Sequence, residues 1–394
     1  MENNQYRISL EQFHTYVKLF EFDLNGLNAI VLWGYSVAMV IFLLYHLCIY
    51  SRLIFHKNKD KKVEPDPVSV IIASRDDARM LREHLPLIMS QKDVEFEVIV
   101  VDDCSLDDTV DVLREYSQKH PNFRTSKLVE SGDFEGGKKY AITMGIKAAR
   151  YSHLVFIDAD CYPDSDLWLR NMAERLMFKK VVLGYSPFKK ESGFLNKLIR
   201  FDAYKIAVQY LSYAVSGIPY MGVGRNMGYH SYLYFDAKGF TSHLNVVSGD
   251  DDLFINEVSN SKNTGIELAP EAFTYSVAKN SYAKWEFQKR RHLTTAPKYK
   301  TIHKILLLGY PISQYILNAL LVVLLIMNYG FELVLGMYGV KILLQGLIQF
   351  LIMRRLKVLD LFIWSWILEW ALMLFYPWVS FLNIVKEDQR KRWI

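Results

Sequence analysis

Acidic residues follow two separate apolar runs of the chain, and their spacing suits a metal-binding or ligand-binding site. Asp158 and Asp160 close the run HLVFIDAD, and Asp102 and Asp103 close FEVIVVDD. If both runs are strands of one open α/β sheet, their carboxyl ends meet at the edge where such sheets bind ligands. A single acidic pair is weak evidence, because carboxylates often cap helices and turns. Two acidic strand ends in one sheet favour a ligand site.

The Asp158-Ala159-Asp160 motif is suited to a cation that is shared with a diphosphate. Mg²⁺ and Mn²⁺ prefer oxygen ligands, and Mg²⁺ is often held by one or two carboxylates together with phosphate oxygens. On a strand end, the two Asp side chains would point to one side and Ala159 to the other. We therefore predict Asp158 and Asp160 as ligands of Mg²⁺ or Mn²⁺, which would neutralise charge on a leaving diphosphate.

The elements that would position these residues begin at Val68, where short apolar runs alternate with helix-like stretches. The runs are VSVIIAS, FEVIVVDD, FRTSKLVES and HLVFIDAD, separated by segments such as ARMLREHLPLIMSQ and KKYAITMGIKAAR. Strands without polar alternation are typical of a parallel sheet that helices cover on both faces. We expect a Rossmann-like α/β domain with a parallel sheet over residues 64–300.

Four stretches are apolar for about 20 residues, the length that crosses a bilayer as a helix. They cover residues 27–50, 305–327, 331–353 and 361–385. The polar segment 1–26 argues against a cleaved signal peptide. Glu369 and Pro377 interrupt the last stretch, whose form stays open between a span and a broken, interfacial or re-entrant helix. The chain is predicted to be an integral, multi-pass membrane protein.

Basic residues beside the apolar stretches predict their orientation. Arg52 and several lysines follow the first stretch, and positive charge beside a span marks the cytoplasmic side. The domain after it should therefore be cytoplasmic, and the cluster of Arg354, Arg355 and Lys357 agrees. The basic tail, residues 386–394, disagrees, because four full spans would place it outside.

Composition limits the partners. The net charge is +5, and the basic residues concentrate beside the apolar stretches, which favours membrane lipids over nucleic acid as partners. Cys48, Cys104 and Cys161 lack CxxC or zinc-ligand spacing and are interpreted as free thiols.

Four motifs occur in a fixed order: VSVIIASRDD, VIVVDDCSLDDT, VFIDADCYP and SGDDDLF. Together they resemble family 2 glycosyltransferases, especially the membrane-integrated branch that includes cellulose, chitin and hyaluronan synthases and ceramide glucosyltransferase. The resemblance covers residues 66–300 and depends on the ordered set. It implies an α/β GT-A fold, Rossmann-like and of the nucleotide-diphospho-sugar transferase type, combined with α-helical transmembrane segments.

The resemblance implies a nucleotide-sugar donor, with a UDP-sugar expected, and assigns residues to it. The uridine would be held by Ala73, Ser74, Arg75 and either Asp102 or Asp103. Asp103 is preferred for the base or ribose contact, and Asp158 would face the diphosphate.

The stretch Gly136-Gly137-Lys138-Lys139 lies between the first two acidic motifs. Its glycines would admit the donor close to the backbone, and Lys138 is the preferred lysine for phosphate. A simple turn before a helix remains the alternative.

The resemblance also assigns the reacting groups. In SGDDDLF it places the general base on Asp251, with Asp250 beside it, and attack from the side opposite the leaving group would invert the anomeric configuration. Clustered carboxylates raise the pKa of one member, which would assist a base. A solvated acidic start of a helix is the alternative.

The sequence WEFQKRRH resembles the QxxRW signature, with Gln288 and Arg291 in register. Arg291 would stabilise the leaving diphosphate, because guanidinium presents a planar fork to phosphate oxygens. His292 stands where the family usually has a tryptophan that stacks beneath the acceptor sugar, so the acceptor contact stays open. Residues 281–300 are also predicted as a basic helix at the membrane surface, and both interpretations can hold together.

Two further segments concern the acceptor and the membrane. The small-residue segment around Gly222 and Gly224 resembles the acceptor side of these enzymes. Residues 192–213 have apolar and basic positions that suit an interfacial helix, although a helix packed inside the domain is equally consistent.

Two hypotheses of function follow. The first is a membrane-bound inverting glycosyltransferase that transfers sugar from a UDP-sugar to a polysaccharide or lipid-linked acceptor. The second is a non-catalytic membrane assembly or export subunit with a degenerate glycosyltransferase domain. The intact acidic motifs favour the enzyme, whereas the sugar, the acceptor and processivity stay open.

Overall fold

The computed structural model describes residues 26–57, 63–129 and 137–385. Gly136, nearly all of the predicted N-terminal segment and the basic tail lie outside them. The described chain forms two compact units. One contains residues 26–48 and 305–348, and the other contains residues 49–304 and 349–385.

The α/β domain contains one large mixed sheet and a small one. Its strands, in chain order, are β1 (Val68–Ser74), β2 (Phe96–Asp103), β3 (Phe123–Leu128), β4 (His153–Phe156), β5 (Cys161–Pro163), β6 (Val181–Gly184), β7 (Met227–His230), β8 (Thr264–Glu267) and β9 (Thr274–Ser276). The large sheet has the order β3-β2-β1-β4-β7-β6-β8, and β5 pairs with β9.

Helices connect the strands and follow the domain. In chain order they are α1 (Leu27–Phe55), α2 (Ala78–Met89), α3 (Thr109–Lys119), α4 (Lys138–Ala148), α5 (Trp168–Leu176), α6 (Phe194–Val215), α7 (Ser231–Asp236), α8 (Asp252–Val258), α9 (Tyr282–His292), α10 (Thr301–Ile326), α11 (Phe331–Arg355) and α12 (Ser365–Val385). A π-helical turn, Tyr45–Tyr50, lies within α1.

The first half of the sheet is parallel, as its apolar runs predict. Strands β3, β2, β1 and β4 are parallel neighbours, and all seven residues of β1 are buried. Helices cover both faces: Val70 and Ile72 share a core with α2 and α5, whereas Ile71 meets α4 at Gly145. A Cβ on Gly145 would lie 2.6 Å from Ile71 Cγ2, so the close helix–strand approach requires glycine. Ser74 pairs with Asp102, which places the ends of β1 and β2 at one level.

Beyond the four strands whose parallel pairing was predicted, the sheet is mixed. Strand β7 runs antiparallel to both β4 and β6, and Met227 at its start pairs with Phe156 at the end of β4. The chain returns from α6 through a loop at the carboxyl edge of the sheet and enters β7 from there. This entry brings the loop with Gly224 to the edge that carries the acidic motifs.

Four helices, α1, α10, α11 and α12, are long and apolar enough to cross a membrane. They match the four predicted stretches, with small shifts at the ends. Of the forms left open for the last stretch, a broken helix is not observed, because α12 continues through Pro377 over its described length. Helices α1 and α11 run in the same direction. Near the starts of the two helices, Tyr35 donates to the carbonyl oxygen of Val334 (3.4 Å). At their ends, Arg355 donates to the carbonyl oxygen of Ile54 (2.9 Å).

Helix α6 corresponds to the segment predicted as either an interfacial or an internal helix. Arg200 is buried and makes a bidentate ion pair with Asp360 at 2.8 and 2.9 Å, and Lys205 pairs with Glu369 at 2.9 Å. Because these basic side chains face protein carboxylates instead of lipid head groups, the contacts favour the internal helix.

Asn226, just before β7, joins three parts of the domain. Its Nδ2 donates to the carbonyl oxygens of Tyr185 (2.9 Å) and Ala272 (2.8 Å), and its Oδ1 accepts from Trp168 Nε1 (3.1 Å). Asn226→Ala would leave these buried groups unpaired, at about 1–3 kcal/mol each before relaxation. We expect a clear fall in melting temperature in detergent, measured by scanning fluorimetry. The control Asn122→Ala loses one bond from a half-buried side chain and should change little. Equal melting temperatures for the two variants would contradict this role.

Candidate active site

Asp158 and Asp160 lie in a turn after β4 and not on an extended strand end. The Cys161 N–H donates to the Asp158 carbonyl oxygen at 2.9 Å and closes the turn. The predicted strand alternation therefore does not apply, but the turn still brings the carboxylates together: ligand atoms of Asp158, Asp160 and Cys161 lie within 4.8 Å of one another. The Cys161 thiol lies 3.2 Å from Asp160 Oδ1. Oxygen donors suit Mg²⁺ or Mn²⁺ better than this sulfur does.

Lys138, the first residue of α4, joins the second and third acidic motifs. Its Nζ lies 2.8 Å from Asp158 Oδ1 and 3.1 Å from Asp250 Oδ2. Gly137 before it has a φ of 130°, a conformation that favours glycine, and its N–H donates to Asp103 Oδ1 at 2.8 Å. The predicted phosphate lysine is thus placed among the carboxylates.

The third acidic motif begins α8, and its members have separate environments. Asp251 accepts from the Asp252 N–H (2.7 Å) and from the Gly224 N–H (2.8 Å). Asp252 is buried and accepts from Thr295 (2.5 Å) and Tyr299 (2.6 Å), which gives it a structural role. Burial, followed by the charges of Asp250 and Asp252, raises the pKa of Asp251 to about 7.

The groups converge at Gly224. A Cβ at this position would lie 3.4 Å from Lys138 Nζ, and 3.5 Å from both Asp158 Oδ1 and Asp251 Oδ2. The loop before β7, the turn after β4, the start of α4 and the start of α8 therefore meet around one backbone position. The motifs are separate in the sequence, and the fold brings them together.

The first acidic motif divides between the two faces of β2. Asp103 lies with Gly137 and with Arg75, whose Nη1 is 3.9 Å from Asp103 Oδ2. Asp102 accepts from the Ser105 N–H at 3.2 Å and lines a separate hollow beside α3 with Leu113. The preferred residue, Asp103, is therefore the one that shares contacts with the loop before Lys138.

Ala73 and Ser74 are buried at the end of β1, and the Ser74 hydroxyl donates to Asp77 Oδ2 at 3.2 Å. Arg75 remains partly exposed beside Asp103. Asp77 was not among the residues predicted from the sequence. Burial raises the pKa of Asp77 to about 6, opposed by the Arg75 N–H bond and aided by the charge of Asp160. In the sequence, Asp77 is the second aspartate of the SRDD motif that ends β1, and this position could have marked it as a candidate.

Two arginines supply positive charge near Asp158. Arg291 was predicted from the sequence, whereas Arg225 was not. The Nε atom of Arg291 and the Nη1 atom of Arg225 are buried and have no hydrogen-bond partner among the described residues. Burial alone would raise the pKa of Asp158, but Lys138, Arg225 and Arg291 lower it. Phe188 supports the Arg225 guanidinium at 4.5 Å from its ring centroid.

Helix α9 carries Gln288, Arg291 and His292. Gln288 is half-buried. The His292 side chain is exposed, whereas the protein packed around it, followed by the charges of Lys289 and Arg291, lowers its pKa well below the usual range.

Comparison with known proteins identifies this domain. Residues 69–232 match the family described as Glycosyl transferase family 2. Poly-beta-1,6-N-acetyl-D-glucosamine synthase of Staphylococcus epidermidis is 27% identical over 154 residues, which are 38% of this chain and 35% of the relative. Chondroitin synthase of Escherichia coli is 29% identical over 131 residues, 33% of this chain and 18% of the relative. The chain thus spans about a third or less of these relatives.

A solved structure shows the same fold. Mannosyltransferase PcManGT from Pyrobaculum calidifontis, in complex with GDP-Man and Mn²⁺, has a TM-score of 0.55 and 19% identity over 86% of this chain and 97% of that chain. The predicted GT-A fold is confirmed. The described chain therefore joins a domain of the GT-A fold, of which residues 69–232 match Glycosyl transferase family 2, to helices that are long and apolar enough to cross a membrane.

Proposed function

We propose that this protein is a membrane-bound inverting glycosyltransferase that uses a nucleotide-sugar donor, a divalent metal and Asp251 as general base. The observation that carries the proposal is the convergence of Asp158, Lys138 and Asp251 around Gly224. In this arrangement Asp158, which is suited to the metal and diphosphate of the donor, lies close to Asp251, which is suited to take a proton from the acceptor. A degenerate domain would have no need to keep it.

Asp251 is suited to take the acceptor proton. Its raised pKa, about 7, matches a base that works near neutral pH, and the Gly224 N–H fixes the orientation of Oδ2. As the acceptor oxygen attacks the anomeric carbon, its proton moves to Asp251 and the carbon–oxygen bond to the diphosphate breaks. Attack opposite the leaving group inverts the anomeric configuration.

The donor diphosphate is proposed to lie between the Asp158 turn and the two arginines. Asp158 and Asp160 present oxygens suited to Mg²⁺ or Mn²⁺, and the Mn²⁺ in the complex of the mannosyltransferase with GDP-Man supports a metal here. The bound ion would supply charge neutralisation on the leaving diphosphate. Arg291 Nε and Arg225 Nη1 are buried donors that phosphate oxygens would satisfy.

The nucleoside is proposed to occupy the edge formed by the ends of β1 and β2. Arg75 and Asp103 offer side-chain contacts there, whereas buried Ala73 and Ser74 offer only backbone. UDP is the nucleotide we expect from the family resemblance, with Asp103 contacting the base or ribose.

The acceptor is proposed to be a growing polysaccharide or a lipid-linked sugar. The names of two relatives, a poly-N-acetylglucosamine synthase and a chondroitin synthase, support a glycan. His292 is exposed and replaces the tryptophan of the family signature, which leaves the length of the product chain open. Mass spectrometry of products from a panel of UDP-sugars would separate a polymer series from one added sugar. No nucleotide release with any donor, in native lipid with Mn²⁺ or Mg²⁺, would favour the non-catalytic subunit.

The α/β domain is proposed to lie in the cytoplasm. Arg355 at the end of α11 donates to backbone carbonyls at the end of α1, so the ends of these two helices lie together, and a basic cluster follows each of them in the sequence. Positive charge of this kind marks the cytoplasmic side. With α10 returning between them, α1 and α11 would cross in the same direction.

Asp251→Asn should lower the transfer rate by roughly 10²–10⁴-fold, the usual contribution of a general base. Donor affinity should persist, because Asp251 is assigned to the acceptor proton and not to the donor; the single amide oxygen can keep one of the two N–H bonds that Asp251 accepts. Nucleotide release and calorimetric donor titration would measure the two effects. Asp236→Asn, at an exposed position, is the control. Transfer at the wild-type rate by the Asp251 variant would remove its assignment as base.

The raised pKa of Asp251 predicts an acidic limb in the pH profile. The base must be deprotonated, so kcat/KM should rise with pH through about 7 and then level off. Asp250→Asn removes a neighbouring negative charge and should move this limb to lower pH. Rates measured between about pH 5.5 and 8.5 would test both. A limb that stays in place in the Asp250 variant would argue against Asp251 as the titrating group.

Asp160→Ala should remove metal-dependent donor binding, because it deletes one of two carboxylate ligands. We expect the gain in donor affinity on adding Mn²⁺ to fall by roughly tenfold to a hundredfold or more. Electron paramagnetic resonance would count bound Mn²⁺ directly. Asp164→Ala, at a nearby exposed aspartate, should bind as wild type. Unchanged Mn²⁺ binding in the Asp160 variant would place the metal elsewhere.

A further inference from the structure

Helix α12 has two faces of opposite character, and the first is a polar stripe bound to the α/β domain. Glu369, Tyr376 and Asn383 are seven residues apart and therefore share one face of the helix. Glu369 pairs with Lys205 of α6, Tyr376 donates to Asp202 of α6 (2.5 Å), and Asn383 accepts from Arg290 Nε of α9 (3.0 Å).

These contacts fix the depth at which α12 can lie. From Glu369 to Asn383 the helix rises about 21 Å, most of the roughly 30 Å hydrocarbon core. Over this length it packs on α6 and α9, which carry Asp202, Lys205 and Lys289. If α12 crossed the bilayer, these two helices and their charges would enter the hydrocarbon with it, at a cost of several kcal/mol. The same compact unit contains α12 and the α/β domain.

The second face of α12 is exposed and apolar. It includes large side chains at helical spacing: Ile367, Trp370, Leu374, Trp378, Phe381, Ile384 and Val385. Two tryptophans in this face are typical of the boundary between head groups and acyl chains. At its start, Lys197 of α6 lies 4.8 Å from the Trp364 ring centroid, where it can reach lipid phosphate.

We propose that α12 does not cross the membrane but lies in its plane, with the apolar face in the leaflet on the side of the α/β domain. The partner of this surface is the boundary between head groups and acyl chains. The basic residues of the sequence support this arrangement. With three crossing helices, the tail containing Lys386, Arg390 and Lys391 would lie on the same side of the membrane as Arg354. All basic clusters beside the helices would then be on the cytoplasmic side, as the distribution of positive charge predicts. The proposal does not depend on the reaction that the domain catalyses.

Cysteine accessibility in the full-length protein tests the side of the tail. In a Cys48→Ser background, in which Cys104 and Cys161 are buried, single cysteines replace Glu332, Arg354 or Asp388. A membrane-impermeant maleimide is added to intact cells and to permeabilised cells. We expect Asp388→Cys to match Arg354→Cys and to react on the opposite side from Glu332→Cys. Labelling of Asp388→Cys together with Glu332→Cys would overturn the proposal.

Depth measurements separate an interfacial helix from a re-entrant one. Spin labels at Ile367, Leu374 and Phe381, exposed positions seven residues apart, are measured by power saturation in liposomes. An in-plane helix gives similar depths at all three, about 5–10 Å below the head groups. A crossing or re-entrant helix changes depth by about 10 Å at each step. Ile305 and Ile312 of α10 are the crossing control. A steady gradient from Ile367 to Phe381, or no immersion, would refute the proposal.

Discussion

The site depends on the compensation of several negative charges by one lysine. Asp158 and the pair Asp250 and Asp251 are carried by distant segments and meet where their side chains are partly or fully buried. Like charges repel strongly there because little water screens them. Lys138 Nζ contacts two of them directly. The start of α4 must therefore lie between the turn after β4 and the start of α8. Gly137 and Gly224 keep the backbone close enough for this arrangement.

A second carboxylate, Asp202, connects this site to the membrane side of the protein. It is buried on α6, where it makes an ion pair with Lys289 of α9 and accepts from Tyr376 of α12. Trp285 of α9 also stacks on Phe375 of α12 at 4.1 Å. Arg291 and His292 follow on the same α9, so the groups predicted to face the diphosphate and the acceptor are held by a helix that packs against the apolar α12.

The polar groups around α9 are specific in their pairing. Arg290 donates to Asn383 and Asn383 returns a bond to the Arg290 carbonyl oxygen, whereas Arg291 keeps a buried donor without a partner in the described chain. Neighbouring basic residues thus divide into structural ones and one that a bound anion would satisfy. A count of basic residues could not distinguish them, because the distinction depends on which side of α9 faces α12.

The sequence by itself determined the elements and the order of the motifs. Apolar runs without polar alternation predicted β1, β2 and β4, and the long apolar stretches predicted α1, α10, α11 and α12. The acidic motifs singled out Asp103, Asp158, Asp160 and Asp251 as candidate site residues. Local patterns carry this information, because burial and helix length are read from neighbouring residues. Only the tertiary structure decided that β7 enters antiparallel, that Lys138 pairs with Asp158 and Asp250, and that Arg225 joins Arg291. It also decided that Lys205 of α6 pairs with Glu369. These outcomes depend on contacts between residues far apart in the chain, and neither the spacing nor the composition of a segment specifies which distant charge it will meet.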